Sequence, residues 1–89
     1  LMSHLGRPKG KIAPKYSLAP VAKRLGELIG QDVALVSATE TDPLGIEEAK
    51  TKIAPGTVVM LENTRFTDAE EANDPALSEK LAELGDVYV

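Results

Sequence analysis

The sequence contains no cysteine and no tryptophan, and only two tyrosines and one phenylalanine supply aromatic rings. Without cysteine the chain can form neither a disulfide nor a thiolate metal site. A core with so few rings must be built from Leu, Ile, Val and Ala. The scarcity of rings also argues against a platform on which the bases of a single-stranded nucleic acid stack.

A long apolar run and a basic excess are also missing. No stretch approaches the roughly 18 apolar residues of a membrane-spanning helix, and no signal peptide is recognisable. The formal net charge is −4, whereas general nucleic-acid binders are strongly basic. We therefore expect a soluble protein with neither a nucleic acid nor a membrane as its partner.

Four short runs of apolar residues predict β-strands. They are Leu1–Leu5, Val33–Val36, Val58–Leu61 and Val87–Val89. The second and third runs are continuously apolar, which is typical of parallel strands covered on both faces. The first run reads as the middle of a strand, and the last stops before any turn signal. We therefore expect the chain to be an internal piece of a longer protein.

Three segments with helical periodicity separate these runs. The first has Ser17 as its predicted N-cap and Gly30 as its stop. The others open with Asp42-Pro43 and Asp74-Pro75, in which the carboxylate caps the helix and the proline occupies its first turn. The predicted inner stripes are Leu18, Val21, Ala22, Leu25, Leu28 and Ile29 in the first, Ile46, Ala49 and Ile53 in the second, and Leu77, Leu81 and Leu84 in the third.

The resulting order is β-α-β-α-β-α-β, with about 30 residues in each unit, the spacing of right-handed crossovers in a parallel sheet. We therefore predict an α/β fold, specifically part of a three-layer αβα parallel sheet of the Rossmann-like type. No linker or low-complexity segment divides residues 1–89, so the chain belongs to one domain.

Polar residues that directly follow the apolar runs are candidates for binding, because ligands of an open parallel sheet gather beyond the carboxyl ends of its strands. His4 and Arg7 follow the first run and Arg65 follows the third. A guanidinium donates two parallel N–H bonds to a phosphate and keeps its charge, and Gly6 allows a ligand close to the backbone. These residues indicate an anion site, with solvated loop charges as the alternative interpretation.

Two further clusters of charge lie in predicted loops. The acidic one is Asp68, Glu70 and Glu71. It lacks the ligand spacing of a calcium loop, so we predict a solvated loop there. The basic one is Lys9, Lys11 and Lys15. It predicts a mobile surface loop, with steering of an anion as the alternative. No glycine-rich phosphate loop or dinucleotide fingerprint is present.

Four segments resemble phosphoglycerate kinases. Leu1–Pro8 resembles the family signature in which a strand ends in Ser-His-Leu-Gly-Arg-Pro, and Leu61–Phe66 is similar to its Leu-Glu-Asn-x-Arg-Phe motif. Ser17–Leu25 resembles the intervening helix, and Gly85–Val89 resembles the lead into the next strand. The four occur in family order along the whole chain. Thr64 departs from the family's usual apolar residue, and the run from residue 37 to 42 departs from an Asp-rich pattern.

The resemblance implies an internal part, residues 1–89, of the N-terminal phosphoglycerate-binding domain of a two-domain, cytoplasmic, glycolytic kinase. Such enzymes move the acyl phosphate of 1,3-bisphosphoglycerate to ADP, giving 3-phosphoglycerate and ATP, with Mg²⁺ accompanying the nucleotide. By position in the motifs, His4, Leu5, Gly6, Arg7 and Arg65 would contact the phosphoglycerate. The two arginines would clamp phosphate and the histidine would orient the substrate.

The resemblance assigns no catalytic, nucleotide-binding or metal-binding residue to this chain. We therefore expect the 89 residues alone to lack kinase activity and to bind no cofactor, and we expect the parent enzyme to be a monomer. Two other classes of function stay open. One is a non-catalytic anion-binding module, and the other is a structural unit whose exposed sheet edges pair with a second copy.

Overall fold

The computed structural model describes all of residues 1–89 and shows a small α/β unit built on a two-stranded parallel sheet. Strand β1 spans Val33–Leu35 and strand β2 spans Val58–Met60, with Ala34 paired to Val59 at the centre. Helix α1, Ala19–Ile29, precedes β1, and helix α2, Ile46–Lys52, makes the crossover between the strands. The predicted α/β class and the second and third strands are confirmed.

The first predicted strand lies along the free edge of β2 but forms no regular ladder. The Leu1 nitrogen donates to the Val59 carbonyl at 2.7 Å, and the Leu1 carbonyl accepts from Leu61 N at 2.9 Å, as in parallel pairing. The next N–H of such a ladder belongs to Asn63, and it donates to the Glu62 carboxylate at 3.0 Å instead. The ladder therefore ends after one step.

The fourth predicted strand does not form. Val87 is 83 % exposed and Tyr88 is 71 % exposed, and the backbone of Val87–Val89 makes no hydrogen bond to either strand. An apolar run becomes a strand only where a neighbour satisfies its N–H and C=O groups, and β2 already has β1 on one side and Leu1 on the other.

Helix α1 spans Ala19–Ile29 and ends, as predicted, at Gly30, whose φ of +65° lies in the left-handed region. Its N-cap is Leu18 rather than the predicted Ser17, although the Ser17 hydroxyl accepts from Ala19 N at 3.2 Å. No helix of the structure is both long and apolar enough to cross a membrane.

Helix α2 spans Ile46–Lys52 and begins later than its predicted Asp-Pro start. The Asp42 carboxylate nevertheless accepts from the first helical amides, Ile46 N at 2.9 Å and Glu47 N at 3.1 Å. The N-cap residue is Gly45 rather than the predicted Asp42, but the turn through Gly45 brings the Asp42 carboxylate to the helix end, where it still caps the first amides.

Two short helices follow β2. Helix α4 spans Pro75–Ala82 and is capped as predicted by Asp74, which accepts from Ala76 N at 2.8 Å. Helix α3, Asp68–Glu71, occupies the segment predicted as a solvated loop, so that prediction is wrong. Its start is capped by the Thr67 hydroxyl, and its acidic residues suit the positive end of a helix dipole.

The core lies between β2 and helices α2 and α4. Its buried members are Val36, Leu44, Ile46, Ala49, Val59, Leu61 and Phe66. The predicted stripe of Leu77, Leu81 and Leu84 packs against it, with Leu84 just beyond the end of α4. Leu18, the N-cap of α1, and Ala22 pack with Met60 in a smaller cluster. Val21, Leu28 and Ile29 of the predicted α1 stripe are exposed, because a two-stranded sheet is too narrow to cover the whole apolar face of this helix.

Candidate functional site

The segment that leaves β2 carries three consecutive polar residues into the interior. Glu62, Asn63 and Thr64 are only 6 %, 0 % and 7 % exposed. Burying polar groups is costly unless each finds a hydrogen-bond partner, and no buried side-chain nitrogen or oxygen in the structure lacks one. These three residues therefore fix how the neighbouring segments are placed.

Asn63 joins three separate stretches of backbone through one side-chain amide. Its Nδ2 donates to the Leu5 carbonyl at 2.8 Å and to the Tyr16 carbonyl at 2.9 Å. Its Oδ1 accepts from Arg65 N at 3.0 Å. The amide thus places the first-motif loop beside the turn that carries Arg65.

Glu62 ties the beginning of α1 to the end of β2. Its carboxylate accepts from the Ser17 hydroxyl at 2.6 Å, from Leu18 N at 2.7 Å and from Asn63 N at 3.0 Å. The negative charge lies at the N-terminal end of α1, where the helix dipole favours an anion. The carboxylate is therefore satisfied by neutral donors and forms no ion pair.

Thr64 makes a second connection between the first motif, Leu1–Pro8, and the third motif, Leu61–Phe66. Its backbone N–H and its Oγ1 both donate to the Ser3 carbonyl, each at 3.0 Å. The predicted first-motif residues therefore continue directly from a segment anchored to the third motif.

The loop from His4 to Arg7 is exposed along its whole length, and Pro8 behind it is buried. Gly6 has a φ of +66°, and a Cβ at this position would lie 2.5 Å from Cε1 of the Tyr16 ring. Only glycine fits this close approach of backbone to ring. Since the Tyr16 carbonyl is held by Asn63, the ring and the amide support the loop together.

Positive charge concentrates around this loop. The first 24 residues carry six of the ten Lys and Arg residues of the chain and none of its fourteen Asp and Glu residues. Neither His4 nor Arg7 forms an ion pair. The loop therefore presents uncompensated positive charge from Arg7 to solvent.

Arg65 is held differently. It lies in a 3₁₀ turn, Thr64–Phe66, and its side chain is 25 % exposed. Its Nε lies 3.1 Å from Glu70 Oε2 and 3.7 Å from Glu71 Oε1, so helix α3 compensates its charge. The structure thus brings the backbones of Leu5 and Arg65 together, but it pairs the Arg65 guanidinium with carboxylates.

Sequence reasoning missed the residues that position this site. Glu62 and Asn63 directly follow a buried strand, and that position is the local signal of a role in the site. Their partners, however, lie 44 to 58 residues away along the chain, beyond any local pattern. Glu70 lies in the segment that the sequence predicts as a solvated loop, and its five-residue separation from Arg65 is the only local indication of the pair.

The acidic residues do not converge on a cation site. No group of three or more His, Cys, Asp or Glu residues is placed to hold a metal ion. Glu70 and Glu71 face Arg65, and the Asp68 carboxylate packs against Gly10, where an added Cβ would collide with it. The group therefore fits charge compensation and loop packing rather than metal binding.

An apolar cavity of about 260 Å³ lies apart from these residues. None of the five predicted site residues lines it. Its walls come from both chain ends, α2, β2 and α4, and include Leu1, Met2, Val59, Leu81, Leu84 and Tyr88. The cavity is therefore separate from the candidate anion site.

A sequence model described as "Phosphoglycerate kinase" matches residues 1–89, the whole chain. Among curated relatives, the phosphoglycerate kinase of Chloroflexus aggregans is 52 % identical over 89 residues. Those of Finegoldia magna and Prosthecochloris aestuarii are 49 % identical over 90 residues and 50 % over 91. Each comparison covers all of this chain and 22 % of the relative.

The chain therefore spans about a fifth of the length of these relatives. The family match nevertheless runs without interruption from the first residue to the last, and it includes both segments that the structure joins through Asn63. The chain belongs to the phosphoglycerate kinase family.

Proposed function

We propose that this chain forms part of the phosphoglycerate-binding N-terminal domain of a two-domain, cytoplasmic, monomeric kinase. The whole enzyme would transfer phosphate between 1,3-bisphosphoglycerate and ADP, giving 3-phosphoglycerate and ATP. The substrate contacts within this chain would be His4, Leu5, Gly6, Arg7 and Arg65. The family membership supports the reaction, and the geometry around Asn63 supports the site.

One observation carries the site assignment. A single buried amide bonds the backbone of Leu5 and the backbone of Arg65, at 2.8 Å and 3.0 Å. The two motifs, more than fifty residues apart in sequence, therefore form neighbouring parts of one surface. A ligand bound at either motif lies close to the other.

Each proposed contact has a physical reason. Arg7 offers an unpaired guanidinium, which forms strong, bidentate hydrogen bonds with phosphate or carboxylate oxygens. Arg65 would add a second positive charge by sharing or exchanging its contact with Glu70. Gly6 lets the ligand approach the backbone of the loop, and His4 supplies a donor for orientation. Phosphoryl transfer depends mainly on positioning and charge neutralisation, so such contacts contribute to the reaction itself.

The 89 residues alone would not catalyse this transfer. No group of three or more of their His, Asp or Glu residues is placed to hold a metal ion, and Mg²⁺ would accompany the nucleotide. In the whole enzyme we propose that the two strands belong to a wider three-layer αβα parallel sheet. The exposed Val21, Leu28 and Ile29 support this arrangement, because burying such side chains stabilises a fold by about 1.5–3 kcal/mol each.

A graft into a relative tests the function directly. The aligned segment of the Chloroflexus aggregans enzyme would be replaced by these 89 residues, and ATP formation from ADP and 1,3-bisphosphoglycerate measured. We expect activity within about tenfold of the unmodified enzyme, lost on Arg7→Ala but not on Lys23→Ala, an exposed cation on α1. A folded graft without activity, or one indifferent to Arg7→Ala, would contradict the proposal.

The non-catalytic anion module is the second candidate, supported by the uncompensated charge of Arg7. An amide NMR titration of the 89-residue chain with 3-phosphoglycerate and with sulfate separates the two. Selective, saturable shifts at Leu5, Gly6, Arg7 and Arg65 with 3-phosphoglycerate support the kinase site. Equal responses to both anions favour a general anion module.

A further inference from the structure

Asn63 makes a set of bonds that few side chains can reproduce. Its two Nδ2 hydrogens go to two carbonyl oxygens, and its Oδ1 accepts from a backbone N–H, while the whole residue is inaccessible to solvent. A side chain here needs two donors on one atom and an acceptor on the other. Among the short side chains, only an asparagine amide meets this requirement.

Substitution therefore has a defined chemical consequence. An ionised aspartate has the same shape but no donor, so its charge would face the Leu5 and Tyr16 carbonyl oxygens. A serine offers one donor and leaves one carbonyl unsatisfied. Each loss removes support from a backbone segment rather than from a side chain of the site.

The three segments that the amide joins are the three that shape the proposed site. Leu5 belongs to the loop itself, the Tyr16 ring packs against Gly6, and Arg65 supplies the second guanidinium. Moving the amide would shift all three relative to one another. A displacement of about 1 Å at a positioned group can cost on the order of 10²-fold in rate.

We propose that Asn63 is a positioning residue that couples the two halves of the anion site, setting the separation between the His4–Arg7 loop and Arg65. The inference rests on the proposed function and deepens it, because the Asn63 side chain is inaccessible to solvent and would act on the site through its neighbours. Its contribution passes through the backbone of Leu5 and Arg65.

The matched control is Thr64→Val. The Thr64 hydroxyl also bonds the first motif, at the Ser3 carbonyl, but its backbone N–H keeps that connection when the hydroxyl is removed. Both variants lose buried hydrogen bonding, but only the Asn63 variant removes a bond to the Leu5 carbonyl. Thermal unfolding of each variant measures the loss of stability separately from the loss of binding.

The test is a 3-phosphoglycerate titration of the 89-residue chain, wild type, Asn63→Asp and Thr64→Val, followed by amide NMR. We expect Asn63→Asp to weaken binding at least tenfold, and Thr64→Val to change it by less than twofold. Asn63→Ser, which keeps one donor, replaces Asn63→Asp if the latter fails to fold. Equal binding by the wild type and the folded Asn63 variant would overturn the inference and leave the proposed function intact.

A double-mutant cycle distinguishes positioning from general destabilisation. If Asn63 acts through Arg65, Asn63→Asp in an Arg65→Ala background should weaken binding by clearly less than it does in the wild type. Full additivity would show that Asn63 does not act through Arg65. A wild-type chain that gives no saturable response to 3-phosphoglycerate would instead overturn the proposed function, and this inference with it.

Discussion

The two motif segments of the candidate site differ in almost every physical respect. From His4 to Arg7 the chain is exposed and its arginine has no ionic partner, whereas Glu62, Asn63 and Thr64 are buried with every polar side-chain atom bonded. The first segment contributes the free charge, and the second contributes the fixed geometry. A site built this way keeps its cation available for a ligand without leaving its backbone loose.

The two arginines show the same contrast at the level of single side chains. Arg7 is exposed and unpaired, so a ligand meets its full charge at no cost in broken contacts. Arg65 is three-quarters buried and paired with Glu70, so a ligand must compete with a carboxylate. The following experiments test how far this division of roles holds.

Removing the Glu62 carboxylate should have the largest effect. Glu62→Ala leaves the Ser17 hydroxyl, Leu18 N and Asn63 N without their partner, at about 1–3 kcal/mol for each unsatisfied group. We expect the free energy of unfolding to fall by at least about 3 kcal/mol in total, measured by urea denaturation. Exposed Glu27→Ala is the control, and an equal loss there would contradict the structural role of Glu62.

Gly6→Ala should have the next largest effect. The change imposes a left-handed backbone on alanine, at about 1 kcal/mol, and also drives its Cβ into the Tyr16 ring. Gly30→Ala is a matched control, because Gly30 has a φ of +65° and open space around its added Cβ. We expect thermal unfolding to show the larger loss for Gly6→Ala. Equal losses would mean that the ring moves aside freely.

Glu70→Gln tests whether the ion pair with Glu70 limits the binding of a ligand by Arg65, in contrast to the unpaired Arg7. Neutralising this carboxylate frees the Arg65 guanidinium from its competitor, and a partly exposed pair of this kind contributes about 0.5–1 kcal/mol. We therefore expect the affinity for 3-phosphoglycerate to rise about two- to fivefold, measured by calorimetric titration. Glu79→Gln makes the same charge change on α4. Weaker binding by Glu70→Gln would instead assign Glu70 to the orientation of Arg65.

The smallest effect concerns pH at the anchored start of the first motif. In the isolated 89-residue chain, burial lowers the pKa of the Leu1 α-amino group from its usual value of 8.0. The unfolded chain then binds this proton more tightly, so stability should rise as the pH increases through the lowered pKa towards 8.0. Thermal unfolding across this range measures the effect. Acetylation of the amino group should abolish it, and an unchanged slope after acetylation would contradict the assignment.

Local chemistry made much of the fold predictable. Gly30 ends α1 and Asp74 caps α4 because their effects act within one helical turn. The predictions of the first and last strands are wrong, because strand pairing depends on segments that are distant along the chain. Leu1 runs beside β2 only up to the point where the Asn63 N–H donates to the Glu62 carboxylate, and the backbone of Val87 pairs with neither strand. No pattern of local spacing contains this information.

The site divides in the same way. Arg7 and Arg65 predict an anion-binding site, because the charge and the hydrogen-bonding geometry of a guanidinium depend on the residue type alone. The pairing of Arg65 with Glu70 depends on helix α3. The charged residues of that segment are typical of a solvated loop, so the sequence does not predict the helix. The bonds from Asn63 to Leu5 and Tyr16 connect residues 58 and 47 positions apart, so they appear only after folding.

The contact between Gly6 and the Tyr16 ring also has an optical consequence. The chain has no tryptophan, and its other tyrosine, Tyr88, is 71 % exposed. Tyrosine absorbance and fluorescence therefore come from one ring packed against the loop and one ring that is largely exposed. In a Tyr88→Phe variant only Tyr16 would emit, so any ligand that shifts the loop would register as a change in intrinsic fluorescence, without an attached dye.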